Sequence, residues 1–146
     1  MNKPREYWKR DGKVIKNKIP YQYVDIHIVT LVKTFNKLPF LATLGSCEGH
    51  PRQKNTSYWS AQGGLMIEIY NQKALKDFIL PLLLRFQELD YSLSLSKTYN
   101  ATEDGFMNSW ELEWYVSANT EEACKVYLRD VWRAIQKYVD GYIAKS

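Results

Sequence analysis

Two segments of strict alternation constrain this 146-residue chain more than any other feature. Tyr91-Ser92-Leu93-Ser94-Leu95-Ser96 puts an apolar side chain at every second position, and Ser109-Trp110-Glu111-Leu112-Glu113-Trp114-Tyr115-Val116-Ser117 repeats the pattern. Side chains of a strand alternate between its two faces, so each segment reads as a strand with one buried and one polar face. Such strands belong to antiparallel sheets rather than to the doubly covered parallel kind. Asp104-Gly105, in the polar stretch 98–108, marks a long hairpin loop between them.

Three more strands are expected at Phe40 to Leu44, Ser57 to Ala61 and Leu65 to Tyr70, the last two joined through Gln62-Gly63-Gly64. Helical spacing supplies the covering layer. Val24, Ile28, Leu31, Phe35 and Leu38 recur at steps of three and four after Pro20, which suits a helix start. Leu75, Phe78, Ile79, Leu82, Phe86 and Leu89 line one side of a helix over 72–89 that Pro81 should kink or restart. A last helix, capped by Asn119 with Glu122 completing a capping box, carries Cys124, Tyr127, Val131, Ile135, Tyr138 and Tyr142 as its apolar stripe. The expected fold is therefore α+β: one domain over 19–146, with an antiparallel sheet of about five strands and three helices packed on one face. Ser92, Ser94, Ser96, Glu111, Glu113 and Glu68 fall on the other face, as plain surface or as the wall of a cleft.

Charge is uneven along the chain. Residues 1–18 carry seven basic side chains against two acidic ones, while the remainder carries 13 against 14. Asp11-Gly12 between short β-prone runs reads as a hairpin within this basic arm. Tyr7 and Trp8 among Arg5, Lys9 and Arg10 combine cations with stacking rings, which suits RNA. A solvated terminus is the plainer reading. The longest apolar run, Phe78 to Leu84, is too short to span a bilayer, and the N-terminus lacks the apolar stretch of a signal peptide. Two cysteines make no disulfide framework, so a cytoplasmic protein without a membrane partner is expected.

Reactive groups are densest in Gly45-Ser46-Cys47-Glu48-Gly49-His50-Pro51, directly after a predicted strand. Two glycines permit turns whose backbone N–H groups hold an anion, and Arg52 and Lys54 add positive charge beside them. This loop is read as the pocket for an anionic small molecule or nucleotide-type ligand. Thr43, Gly45, Ser46, Gly49 and Arg52 are the candidate binding residues, and Cys47, Glu48 and His50 the candidate catalytic ones. Cys47 could act as a nucleophile with His50 as base, or be an inert thiol. Cys47-x-x-His50 also has ligand-like spacing, with Cys124 and His27 to complete an N/S set. Cys124 fits a core thiol and His27 a boundary histidine more simply, so no metal is assigned. Glu111 and Glu113, on one side of a strand, read as a solvated face before paired-carboxylate chemistry. The competing class is a non-enzymatic adaptor or inhibitor that grips its partner with exposed aromatics and the basic arm, often as a homodimer.

A helix ending in Phe35-Asn36-Lys37-Leu38, a strand, and then Thr43-Leu44-Gly45-Ser46-Cys47-Glu48-Gly49-His50 resembles one segment of the wybutosine-synthesis methyltransferase family. That family carries a Thr-Ser-Ser-Cys-Ser-Gly-Arg motif after a strand. Thr43, Ser46, Cys47 and Gly49 match it in place, while Gly45, Glu48 and His50 depart from it. The resemblance covers residues 24–51. It implies an α+β domain with a ligand pocket beside the loop, an RNA-modifying activity on transfer RNA, and S-adenosylmethionine as cofactor.

Overall fold

The computed structural model describes residues 9–102 and 105–146. A five-stranded antiparallel sheet and three helices build an α+β fold. The sheet order is β3 (Leu41–Cys47), β5 (Tyr58–Ile69), β7 (Gly105–Ala118), β6 (Ser92–Thr102), with β4 (Arg52–Asn55) also paired to β5. Helices α1 (Val29–Phe35), α2 (Leu80–Glu88) and α3 (Glu121–Ala144) cover one face.

The alternating segments behave as their pattern dictates. Leu112, Trp114 and Val116 are buried under the helices, and Ser92, Ser94 and Ser96 are exposed on the opposite side. Pairing continues through much of the stretch expected to be loop, with Thr98 opposite Ser109 and Thr102 opposite Gly105. A ladder needs backbone partners, not burial, so polar sequence extends it. Asp104, expected in the turn, lies outside the described residues.

Other expectations are corrected. Gln62-Gly63-Gly64 is not a connection: Tyr58 to Ile69 form one twelve-residue strand. Glycine stands there because neighbours press on the backbone. A Cβ on Gly63 would lie 2.5 Å from the Cys47 carbonyl oxygen, 2.6 Å from that of Glu48 and 2.6 Å from Nε1 of Trp114. The helix expected from Pro20 starts only at Val29. Two 3-10 turns, Tyr21–Tyr23 and Ile26–Ile28, precede it, separated by an extended Asp25 whose carboxylate bonds elsewhere in the chain. At Pro81 the chain adapts without a break: a π-helical turn over Leu75–Ile79 leads into α2, and Pro81 sits in the first turn of that helix, where its missing N–H costs least.

Helix α3 is capped by Thr120 rather than Asn119, with the Thr120 hydroxyl accepting from the Ala123 amide at 3.1 Å. Glu122 then falls one position short of a capping-box partner. Replacing Thr120 by Ala is expected to cost about 1 kcal/mol in urea unfolding, and Asn119→Ala to cost less. The buried stripe of α3 is Cys124, Leu128, Val131, Ile135 and Val139; Tyr127, expected in it, is exposed.

The second sheet face is partly covered too. Strands β1 (Lys9–Arg10) and β2 (Lys13–Val14) pair around Asp11-Gly12. Val14 and Ile19 pack against Ala42 and Leu44 on the side away from the helices. The Val14 amide donates to the Tyr70 hydroxyl at 2.7 Å, and burial pushes that phenol well above its ordinary pKa. This second small core explains why Glu68 is buried instead of lying on open surface. Arg5, Tyr7 and Trp8 lie outside the described residues.

No helix among the described residues is long and apolar enough to cross a membrane.

Candidate functional site

Strands β3 and β4 lie in succession along the same side of β5. Cys47 pairs with Gly64, and Arg52 pairs with Ser60. Between them, residues 48–51 leave the sheet and drop into the helix layer. Glu48 and Gly49 are buried there, although both are polar or backbone-rich. The space under Gly63 admits the descending chain. Gly49 completes the descent with φ +95°, a left-handed conformation that disfavours any side chain.

Buried polar groups need partners, and those of Glu48 are fully specified. Its carbonyl oxygen accepts from two indoles, Nε1 of Trp114 at 3.0 Å and Nε1 of Trp132 at 3.2 Å. Its amide donates to Oδ2 of Asp25 at 2.9 Å. Its carboxylate accepts from the His27 amide at 3.3 Å and pairs with Nδ1 of His27 at 2.8 Å. Asp25 and Glu48 thus cap each other's segments reciprocally. That clamp explains why the backbone is extended at Asp25 and α1 begins late. It also means that the loop's Glu48 amide, expected to hold a ligand anion, holds the chain's own Asp25 carboxylate.

A cavity of about 620 Å³ opens where this loop meets α3. Leu31 and Leu128 give it apolar surface, and Gly49 and Pro51 its loop wall. His27, stacked on Trp132 with ring centroids 5.6 Å apart, forms one side. His50, Lys125, Arg129 and Arg133 bring further basic groups. Lys125 is shared with Glu121 and Glu122 at 3.9 and 3.6 Å. Arg129 and Arg133 have no ion-pair partner among the described residues. The single carboxylate in the lining, Glu48, is engaged by His27.

The candidate residues named from sequence separate into distinct surroundings. Glu48, Gly49 and His50 line this cavity. Cys47, His50 and Arg52 line a second depression of about 770 Å³ with Lys54, Tyr58 and Tyr115. Gly45, Ser46 and Cys47 face a groove of about 350 Å³ on the opposite sheet face, together with Glu111 and Glu113. Thr43 is buried and committed to Asn36, which donates to the Thr43 hydroxyl at 2.8 Å and accepts from its amide at 3.0 Å.

The N/S metal set weighed from sequence does not assemble. Cys124 is buried under α3, where burial and the nearby Glu121 carboxylate push its thiol up, and His27 is held by Glu48. Asp25 instead joins Cys47 and His50. Sequence reasoning missed Asp25, Trp132, Arg129 and Arg133. The last two repeat at four-residue spacing from Lys125, so a row of cations along α3 was readable, but nothing local showed that it faced the loop.

The chain matches no protein-family model, and no curated protein or solved structure is significantly similar to it.

Proposed function

We propose that this protein binds an anionic small molecule of nucleotide type in the cavity between the 48–51 loop and α3. The observation that carries the reading is the pair Arg129 and Arg133, which line the cavity without acidic partners among the described residues. Guanidinium groups left unpaired beside apolar surface suit phosphate, which they bind through two parallel hydrogen bonds. Trp132 and Leu128 supply the apolar surface that a base or other flat ring needs, and the volume lies within the range of small-molecule sites.

One observation favours catalytic use of the same cavity. Nδ1 of His27 pairs with the Glu48 carboxylate at 2.8 Å, and in the neutral tautomer that donates Nδ1–H the Nε2 atom is an acceptor, the arrangement of a general base positioned by a carboxylate. Glu48 would then be a positioning residue. The methyl-transfer reading drawn from the resemblance fits less well. S-adenosylmethionine carries a sulfonium, which a cationic lining repels, whereas an RNA phosphate meets the same cations as a nucleotide.

Thermal unfolding with inorganic phosphate, AMP, ATP and S-adenosylmethionine tests the proposal. A phosphate-bearing ligand at a hundred-fold excess over its Kd should add about 2.7 kcal/mol of stability. The doubly substituted Arg129→Ala, Arg133→Ala protein should unfold as the unliganded parent does and gain nothing from ligand. Stabilisation by S-adenosylmethionine alone, or equal stabilisation of the double variant, would overturn the anion reading.

A further inference from the structure

Cys47, at the end of β3, and His50, beyond the buried turn, come back together on the surface after the chain has dipped under Gly63. Asp25, from the extended residue between the two 3-10 turns, meets them. One donor atom from each of the three side chains lies within 4.8 Å of the other two. We propose that Asp25, Cys47 and His50 form a binding site for a divalent transition metal of the zinc class, adjoining the anion cavity at His50.

The donor set selects the ion. A thiolate, an imidazole and a carboxylate together suit zinc or cobalt and not magnesium or calcium, which take oxygen ligands. Bond lengths in such sites imply donor separations of roughly 3.3–3.6 Å around a tetrahedral ion. The three donors lie within 4.8 Å of one another, so the set has to close by no more than about 1.5 Å. Cys47 and His50 are exposed, so rotation of their side chains closes the gap at little cost.

Asp25 is already oriented, because its carboxylate accepts the Glu48 amide, a hydrogen bond of the kind that fixes metal-ligating carboxylates. Two anionic ligands and a neutral imidazole balance the charge of the ion. Three protein ligands leave a fourth position for water or an anion, as in zinc sites that exchange ligands. Cys47 and His50 both line the 770 Å³ depression, where Arg52 and Lys54 favour an anion at that position.

The same three residue types could instead work as a nucleophile relay. In a relay the imidazole stands between thiol and carboxylate and uses both ring nitrogens, which forces sulfur and oxygen to opposite edges of the ring. Here the three donors form a closed triangle, and no hydrogen bond joins any two of them among the described residues. A triangle converges on a common ion, and a relay does not.

Titration of the reduced full-length protein with Co²⁺ tests the site. One equivalent should bind and give a near-ultraviolet thiolate-to-cobalt charge-transfer band. Cys47→Ser should abolish the band, and Cys124→Ser should keep it. Asp25→Asn retains the acceptor for the Glu48 amide, so the protein should fold, yet it and His50→Ala should each weaken binding at least about ten-fold. One equivalent of Zn²⁺ should also slow alkylation of Cys47 by iodoacetamide. Binding well below one equivalent, a band that survives Cys47→Ser, unchanged affinity in both the Asp25 and His50 variants, or rapid alkylation of Cys47 despite Zn²⁺ would overturn the proposal.

Discussion

Gly63→Ala is expected to cost about 3 kcal/mol of stability, the upper part of the range for forcing extra atoms into a packed site. The added carbon would press on two carbonyl oxygens and an indole nitrogen at once. Two of those atoms are backbone, and neither can retreat without lifting the 48–51 loop off its indole donors. A domain of this size has a total stability of about 5–15 kcal/mol, so the substitution removes a large share. Gly45→Ala is the control. It stands in the neighbouring strand with nothing within 4 Å of its missing Cβ, and its urea midpoint should hardly move. A Gly63→Ala protein as stable as the parent would show that the loop does not descend under β5.

Trp114→Ala should cost about 4 kcal/mol, as expected for emptying a fully buried indole site. Its effect differs in kind from that of Trp114→Phe. Phenylalanine fills most of the volume and loses the bond to the Glu48 carbonyl, which still accepts from Trp132. That variant should lose about 1–2 kcal/mol, the worth of one hydrogen bond plus a small misfit. Chemical unfolding of the pair separates the two contributions. Equal costs would mean that the indole N–H, not the packing, dominates at this position.

The parts of the fold that local pattern specifies were readable in the sequence. Leu112, Trp114 and Val116 alternate with Glu111, Glu113 and Tyr115 because the helices bury one face of β7 and leave the other partly or fully exposed. The α3 stripe follows from helical spacing, with Leu128 in place of Tyr127. The parts that depend on distant chain were not readable. Gly63-Gly64 has the composition of a turn, and only the approach of Cys47, Glu48 and Trp114 makes glycine necessary within a strand. Asp25 sits among apolar residues at helical spacing, and its bond to an amide 23 residues away breaks the helix there.

The site was half legible for the same reason. The density of functional groups at 45–51 marked a loop of which Glu48, Gly49, His50 and Pro51 line the cavity. The loop's partners, His27, Trp132 and the arginines of α3, come from distant segments, Trp132 lying 84 residues beyond Glu48. Local spacing carries no record of them. Glu48 illustrates the difference: it reads as a candidate catalytic acid in the dense loop, and the fold buries it and engages its carboxylate with His27.

On the proposed function, the descending 48–51 loop and the cationic flank of α3 make one anion site. Following backbone amides by ¹H–¹⁵N NMR during titration with ATP, with inorganic phosphate in parallel, tests it most directly. Saturable shifts should concentrate at Thr30, Gly49, His50 and the 129–136 segment of α3, and vanish in the Arg129→Ala, Arg133→Ala protein. Shifts confined to β6, β7 or the N-terminal arm, or no saturable shifts at all, would rule out an anion site between the loop and α3.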